Sequence, residues 1–382
     1  MPDTTRPNIL WYCTDQQRFD TIGALGNPHV VTPTIDCLVG EGVAFTHAYC
    51  QSPICTPSRS SFMTGLYPTR VHNTRNGNET FPDWPPVITR LIADAGYECG
   101  LVGKFHLQSA GHRTEPRIDD GFSYWKFSHA PRDDWQSGHD YADWVRALGG
   151  DLNALRESES HVPTELHQTT WASERAIEFI RQPHDKPWLL NVNIYDPHPP
   201  FIPPKSYADR FDPQKMPGPY FRESDLAQQA RLSEIDFQGI AESPDQNAAH
   251  LQQSHYYAMI AQIDDQFARI LDVLEGTGQR DNTVIIFTSD HGEAMGDHGL
   301  FQKGCRFYEG LVRVPLIFSW PGRFGTNVRA SALVELLDMT STIVELAGIE
   351  PPDYMQRQTL QPFLRVASPT DQIGSASCRE SV

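Results

Sequence analysis

Residue types suited to chemistry on an anion recur at intervals along this 382-residue chain. Two apolar runs end in acids: Asn8–Thr14 leads into Asp15-Gln16, and Thr283–Ser289 leads into Asp290-His291. Two carboxylates with an amide oxygen are mostly oxygen donors and suit a hard cation such as Ca²⁺ or Mg²⁺. Each Asp could instead merely cap the element after it, but two such endings in one chain favour a shared metal. The segment Cys55-Thr-Pro-Ser-Arg59 places a thiol just before an expected helix, where backbone N–H groups and the helix dipole attract an anion. Arg59 lies about one turn along, where it can pair with that anion. A lone Cys is otherwise a small buried hydrophobe. Lys104 and His106 alternate by two and so point the same way on a strand or its exit. His198 sits between Pro197 and Pro199, which fix its backbone. Taken alone, these residues would read as a solvated edge and a turn histidine.

The elements that must position these groups are expected as follows. Short apolar runs bounded by turn residues predict buried strands at Asn8–Thr14, Val43–Ala48, Glu98–Val102, Trp188–Ile194, Thr283–Ser289 and Val314–Ser319. Helices are predicted over Pro33–Glu41, Pro57–Thr64, Pro86–Ala95, Thr169–Arg181, His250–Leu274 and Val334–Ala347. Alternation of apolar strands with helices predicts an α/β fold: a large, mainly parallel or mixed sheet sandwiched by helices. Ligands gather at the carboxyl ends of such strands, where both acid pairs lie. The stretch 111–162 is expected to be long loops with short helices, the proline-dense stretch 197–222 to hold no long regular element, and the tail 374–382 to be loose.

Composition bounds the class. With 31 Lys+Arg against 48 Asp+Glu, a basic nucleic-acid surface is not expected. The amino terminus shows no signal-peptide pattern and no apolar span, so no membrane partner is expected. Seven scattered cysteines form no CxxC pair and fit reduced thiols in a cytoplasmic protein, with Cys50–Cys55 the one disulfide worth weighing.

Cys55-x-Pro-x-Arg59, followed by Thr64-Gly65, resembles the signature of the sulfatase family, formylglycine-dependent hydrolases of the alkaline-phosphatase superfamily. The resemblance runs from Arg6 to about Pro352, through TPTIDCLVGEGVAF, Gly103-Lys-Phe-His106, Asp196-Pro-His-Pro-Pro200 and Ser289-Asp-His-Gly292. It implies an alkaline-phosphatase-like fold, with a catalytic domain over 1–350 and the start of a shortened C-terminal subdomain or tail over 351–382. It implies that Cys55 is oxidised to formylglycine by a formylglycine-generating enzyme. The metal set implied is Asp15, Gln16, Cys55, Asp290 and His291, usually for Ca²⁺, with Mg²⁺ or Mn²⁺ as alternatives. Many sulfatases have Asp where this chain has Gln16 and Asn where it has His291. The catalytic set implied is Cys55, Arg59, Lys104, His106, His198 and Lys303. Arg59 would hold the formylglycine hydrate, His198 would protonate the leaving oxygen, and His106 is the candidate base that regenerates the aldehyde. Asn76, Lys104, His198 and Lys303 would bind the substrate, with Lys104 and Lys303 on its sulfate group. Asp297 and His298 are expected to order the loop before Lys303.

The implied activity is hydrolysis of a sulfate monoester, on a small molecule or a saccharide, by attack at sulfur. One alternative is a phosphonate monoester or phosphodiester hydrolase of the same superfamily, although such enzymes carry Tyr and Thr where this chain has Lys104 and His106. Others are an unmodified Cys–His acyl hydrolase and a non-catalytic anion-binding relative. Trp125, Trp135 and Trp144 could stack on a substrate ring or be core. A homo-oligomer is left open.

Overall fold

The computed structural model describes residues 6–157, 162–230, 246–356 and 358–365. Among the described residues, nine strands form one sheet: β1 (Asn8–Thr14), β2 (Val43–Tyr49), β3 (Glu98–Gly103), β4 (Tyr124–Phe127), β5 (Trp188–Asn193), β6 (Thr283–Ser289), β7 (Arg313–Val314), β8 (Leu316–Ser319) and β9 (Val328–Glu335). The order is β4-β3-β5-β1-β6-β8-β2-β7, with β9 also paired to β2. The run β4-β3-β5-β1-β6 is parallel throughout. β8 runs antiparallel to both β6 and β2, which makes the sheet mixed.

Alternation along β1 shows how the sheet is buried on both faces. Ile9, Trp11 and Cys13 enter one apolar cluster, where the Trp11 ring meets Phe62 edge-on at 5.4 Å. Leu10 and Tyr12 enter the other, where Tyr12 packs on Phe267 and Phe287. The first face is covered by the helices Cys55–Thr64, Ile88–Asp94 and Leu336–Leu346. The second is covered by Pro33–Glu41, Gln168–Arg181 and Gln246–Gly276. Each fully buried Leu, Ile or Phe contributes about 1.5–3 kcal/mol, which is why these strands read as continuous apolar runs.

Several expected boundaries move. The strand expected over Val314–Ser319 starts at Arg313 and is broken at Pro315, which has no N–H for the ladder. The helix expected over Val334–Ala347 begins at Leu336, because Val334 and Glu335 end β9. β4 and β9 were not expected. β9 lies at an edge and alternates between half-buried and exposed residues, so it lacks the apolar run that marked the other strands. The stretch 111–162 holds short helices such as Asp140–Ala147, as expected, besides β4, and 197–222 holds only short turns such as Lys205–Ala208. The tail 374–382 lies outside the described residues. Cys50 and Cys55 are both free thiols, so the disulfide weighed between them is not formed. Trp125, Trp135 and Trp144 pack into aromatic neighbours: Trp125 stacks on Phe127, Trp135 lies against Phe127 and His139, and Trp144 packs near Tyr141.

Candidate active site

β1 and β6 are adjacent and parallel, with Thr14 opposite Ser289, so Asp15 and Asp290 leave the sheet side by side. Gln16 takes a left-handed backbone (φ 71°), and its N–H donates to Oδ1 of Asp290 at 3.0 Å. The Tyr256 hydroxyl, from the long helix Gln246–Gly276, donates to the Gln16 carbonyl at 2.6 Å and accepts the Arg18 N–H at 2.9 Å. That clamp fixes the turn carrying both donors.

Cys55 is the first residue of its helix, two positions earlier than expected, and the whole helix Cys55–Thr64 is buried. Gly65 ends it with φ 76°, where a Cβ would come within 2.8 Å of Met355. The Cys55 sulfur lies 2.7 Å from Nζ of Lys303, 3.1 Å from Nε2 of His291, 3.6 Å from Nζ of Lys104 and 3.7 Å from Oδ1 of Asp15. Burial alone would raise the thiol pKa, but Lys104, Lys303 and His291 outweigh it and pull the value well below normal.

Lys104 follows Gly103 at the end of β3. Gly103 has φ 99°, and a Cβ there would sit 1.9 Å from the Asn193 carbonyl, so only glycine lets β3 turn Lys104 inward. The Lys104 ammonium pairs with Asp15. Arg59 donates from Nε to Oδ2 of Asp290 at 2.8 Å and from Nη1 to the Lys104 carbonyl at 3.0 Å, and its Nη2 stands 3.5 Å from Asp15. The guanidinium is therefore largely engaged in holding the two acids. Burial works to raise the Asp15 carboxyl pKa, yet Lys104, His198 and Arg59 hold it far below its normal range.

His106 also has a left-handed backbone (φ 55°), and its Nδ1 has no hydrogen-bond partner among the described residues. Burial, then Lys104, lowers its pKa to about 4, so the ring is neutral at ordinary pH. Glu115 accepts the adjacent Leu107 N–H at 2.8 Å and helps hold that turn. Lys303 reaches Gln16 Oε1 at 3.0 Å and Nε2 of His198 at 2.8 Å. Asn76 is exposed, and its Oδ1 accepts the Thr56 N–H at 2.9 Å, which caps the helix Cys55–Thr64. Asp297 binds Arg18 and the Tyr220 N–H, so it does order its loop.

Asp15, Cys55, Asp290 and His291 offer ligand atoms that all lie within 4.8 Å of one another, all fully buried. Two carboxylates, an imidazole nitrogen and a sulfur in so small a volume are a donor set that fits a divalent cation. Two residues here were not anticipated. Glu293 accepts from the Gln16 amide, and Tyr256 clamps the turn. Glu293 lies two positions after His291 on the same exit from β6, whereas nothing local marked Tyr256.

A mixed sheet with a buried cationic and acidic cluster at its strand ends defines a hydrolase of alkaline-phosphatase-like architecture. The family is specific: the sulfatase family model matches residues 7–349, and the chain belongs to the sulfatase family of sulfuric ester hydrolases. It is 28% identical to an arylsulfatase of Clostridium perfringens, over 96% of this chain and 80% of that protein. It is 31% identical to the Escherichia coli sulfatase YidJ, over 93% of this chain and 70% of that one. Among solved structures, the phosphonate monoester hydrolase of Agrobacterium radiobacter superposes with a TM-score of 0.81 at 27% identity, covering 96% of this chain and 78% of that one.

Proposed function

We propose that the protein hydrolyses a sulfate monoester, aryl, alkyl or saccharide, by attack at sulfur, with formylglycine made from Cys55 as nucleophile. The observation that carries this reading is the convergence of Lys104, Lys303 and His291 on the Cys55 sulfur. A sulfate monoester is a tetrahedral monoanion, and two buried ammonium groups beside the nucleophile would oppose the charge that grows on its oxygens. Asp15, Gln16, Asp290, His291 and the side chain at position 55 would hold a divalent ion, with Ca²⁺ first and Mg²⁺ or Mn²⁺ next. When bound, such an ion would polarise a sulfuryl oxygen and favour an ionised nucleophile. As the hydrate, formylglycine supplies one hydroxyl for attack and a second that lets the aldehyde reform.

The remaining steps fall to the chain's own side chains. Lys104 and Lys303 bind and orient the sulfate. Asn76, whose Oδ1 accepts the Thr56 N–H, would contribute its Nδ2 to substrate binding. His198 delivers a proton to the leaving oxygen. Burial and then Lys303 lower its pKa, so an incoming monoanion that offsets Lys303 raises it where a general acid is needed. His106, neutral and close to position 55, takes the proton that accompanies sulfate release. Arg59 keeps both acids aligned. Maturation would require a formylglycine-generating enzyme, and the reduced thiols fit a cytoplasmic site.

Cys55→Ala tests the nucleophile. It should abolish turnover of a nitrophenyl sulfate while leaving the unfolding transition nearly unchanged, and near-wild-type turnover would overturn the assignment. A second reading, phosphonate monoester hydrolysis, draws on the fold similarity to the Agrobacterium radiobacter enzyme. Lys104, held against Asp15, supports the sulfate reading over it. Comparing kcat/KM for the nitrophenyl sulfate and a phenyl phosphonate ester separates the two: a ratio above one is expected, and a ratio well below one would favour the second reading.

A further inference from the structure

The distances among Asp15, Cys55, Asp290 and His291 say more than that a cation fits. In a regular tetrahedron the edge is about 1.63 times the centre-to-corner bond. Bonds of about 2.0–2.3 Å, those zinc makes to oxygen, nitrogen and sulfur, therefore give edges of about 3.3–3.8 Å. The observed separations are 3.1 Å (Cys55 Sγ to His291 Nε2), 3.7 Å (Cys55 Sγ to Asp15 Oδ1), 3.8 Å (His291 Nε2 to Asp15 Oδ1) and 3.8 Å (His291 Nε2 to Asp290 Oδ1). The other pairs lie within 4.8 Å. One sulfur, one imidazole and two carboxylates are zinc donors, whereas a hard cation prefers oxygen alone.

We propose that the chain as encoded, with Cys55 still a thiol, forms a tetrahedral zinc site from Asp15, Cys55, Asp290 and His291. It rests on the encoded side chain and not on the formylglycine reading, so the two fail separately. On binding, zinc takes a thiolate and a neutral imidazole nitrogen, and whatever proton Sγ of Cys55 or Nε2 of His291 carries passes to solvent as the zinc–sulfur and zinc–nitrogen bonds form. His291 is already aimed for this. Its Nδ1 lies 2.8 Å from the Gly292 carbonyl, which can only accept, so Nδ1 keeps a hydrogen and Nε2, 3.1 Å from the sulfur, is the nitrogen that would bind the metal. Lys303 and Lys104, which now face the sulfur, have other partners: Lys303 has His198 and Gln16, and Lys104 has the Tyr195 ring at 5.3 Å. A folded chain that has missed oxidation at position 55 would thus hold its sulfur in a zinc bond, a state distinct from the mature centre.

The experiment uses full-length protein made without a maturation enzyme, with peptide mass showing Cys55 as a thiol, stripped of metal. Zinc and calcium affinities are measured by competition with a chromophoric chelator, and cobalt(II) serves as the spectroscopic probe. The expected result is one zinc per chain and a cobalt form with a sulfur-to-metal charge-transfer band and intense tetrahedral bands. Cys55→Ser should lose the charge-transfer band. Its zinc affinity should fall by more than the about 10–100-fold that loss of an outer-shell partner costs, with calcium affinity held or raised. His291→Gln should weaken zinc comparably while Cys55 remains. The proposal is overturned if the charge-transfer band survives in Cys55→Ser, which would place it on a surface thiol such as Cys37 or Cys305. Unchanged zinc affinity in either variant, with circular dichroism showing a native fold, overturns it equally.

Discussion

Nζ of Lys303 stands 2.8 Å from Nε2 of His198, while Nδ1 of the same ring is 2.6 Å from the Pro199 carbonyl. A carbonyl can only accept, so Nδ1 carries the ring hydrogen and Nε2 offers a lone pair to the ammonium. Without substrate the pair holds His198 neutral. Replacing Lys303 with Met should therefore raise the His198 pKa, because the second largest cause of its depression, after burial, is removed. Histidine NMR titration reads this directly, and an unmoved His198 would contradict the coupling.

If His198 is the general acid, its loss must matter most for poor leaving groups. His198→Ala should lower kcat by about 10²–10⁴-fold on an alkyl sulfate. The loss should be far smaller on a nitrophenyl sulfate, whose leaving oxygen needs no proton. Equal losses on both would assign His198 to positioning.

The pKa of His106, pushed down to about 4 mainly by burial, links this ring to stability. The unfolded ring titrates near its ordinary value of about 6.5, so between about 4 and 6.5 the unfolded chain binds the extra proton. The contribution is present above the higher value and is lost as pH falls toward 4. His139, likewise lowered to about 4 by burial, acts in the same direction. His106→Asn should remove part of the slope of unfolding free energy against pH in this window. Denaturant melts at pH 4.5 and 7 check it, and an unaltered slope would rule out the buried neutral state.

Glu293 accepts from the amide nitrogen of Gln16, which leaves the amide oxygen facing Lys303 and, in the proposed site, free to bind the cation. Glu293→Gln can donate as well as accept, so it no longer dictates that orientation. Divalent-metal affinity should fall by about 10–100-fold, the usual cost of losing an outer-shell partner. Adding Gln16→Asp should restore most of it, since a carboxylate presents oxygen whichever way it turns. Chelator competition on the two proteins decides, and a double variant as weak as the single one would discard the orienting role.

The apolar runs Asn8–Thr14, Trp188–Asn193 and Thr283–Ser289 are legible in the sequence because a strand buried on both faces has no polar alternation. The Cys55–Arg59 motif, the helix after it and the two strand-end acids are local in the same way. What the chain order could not show is adjacency. Gln16 and Asp290 meet across 274 positions only because β1 and β6 pair in register, a choice made by packing two helical layers on one sheet. The engagement of Arg59 with the acids, the lone pair that His198 offers Lys303, and the supports given by Glu293 and Tyr256 depend on that packing too. Charges brought into a buried space interact far more strongly than charges spread along a solvated chain. Residue types and local spacing are thus properties of the sequence, whereas proton positions and shifted pKa values arise only once tertiary packing has removed the water.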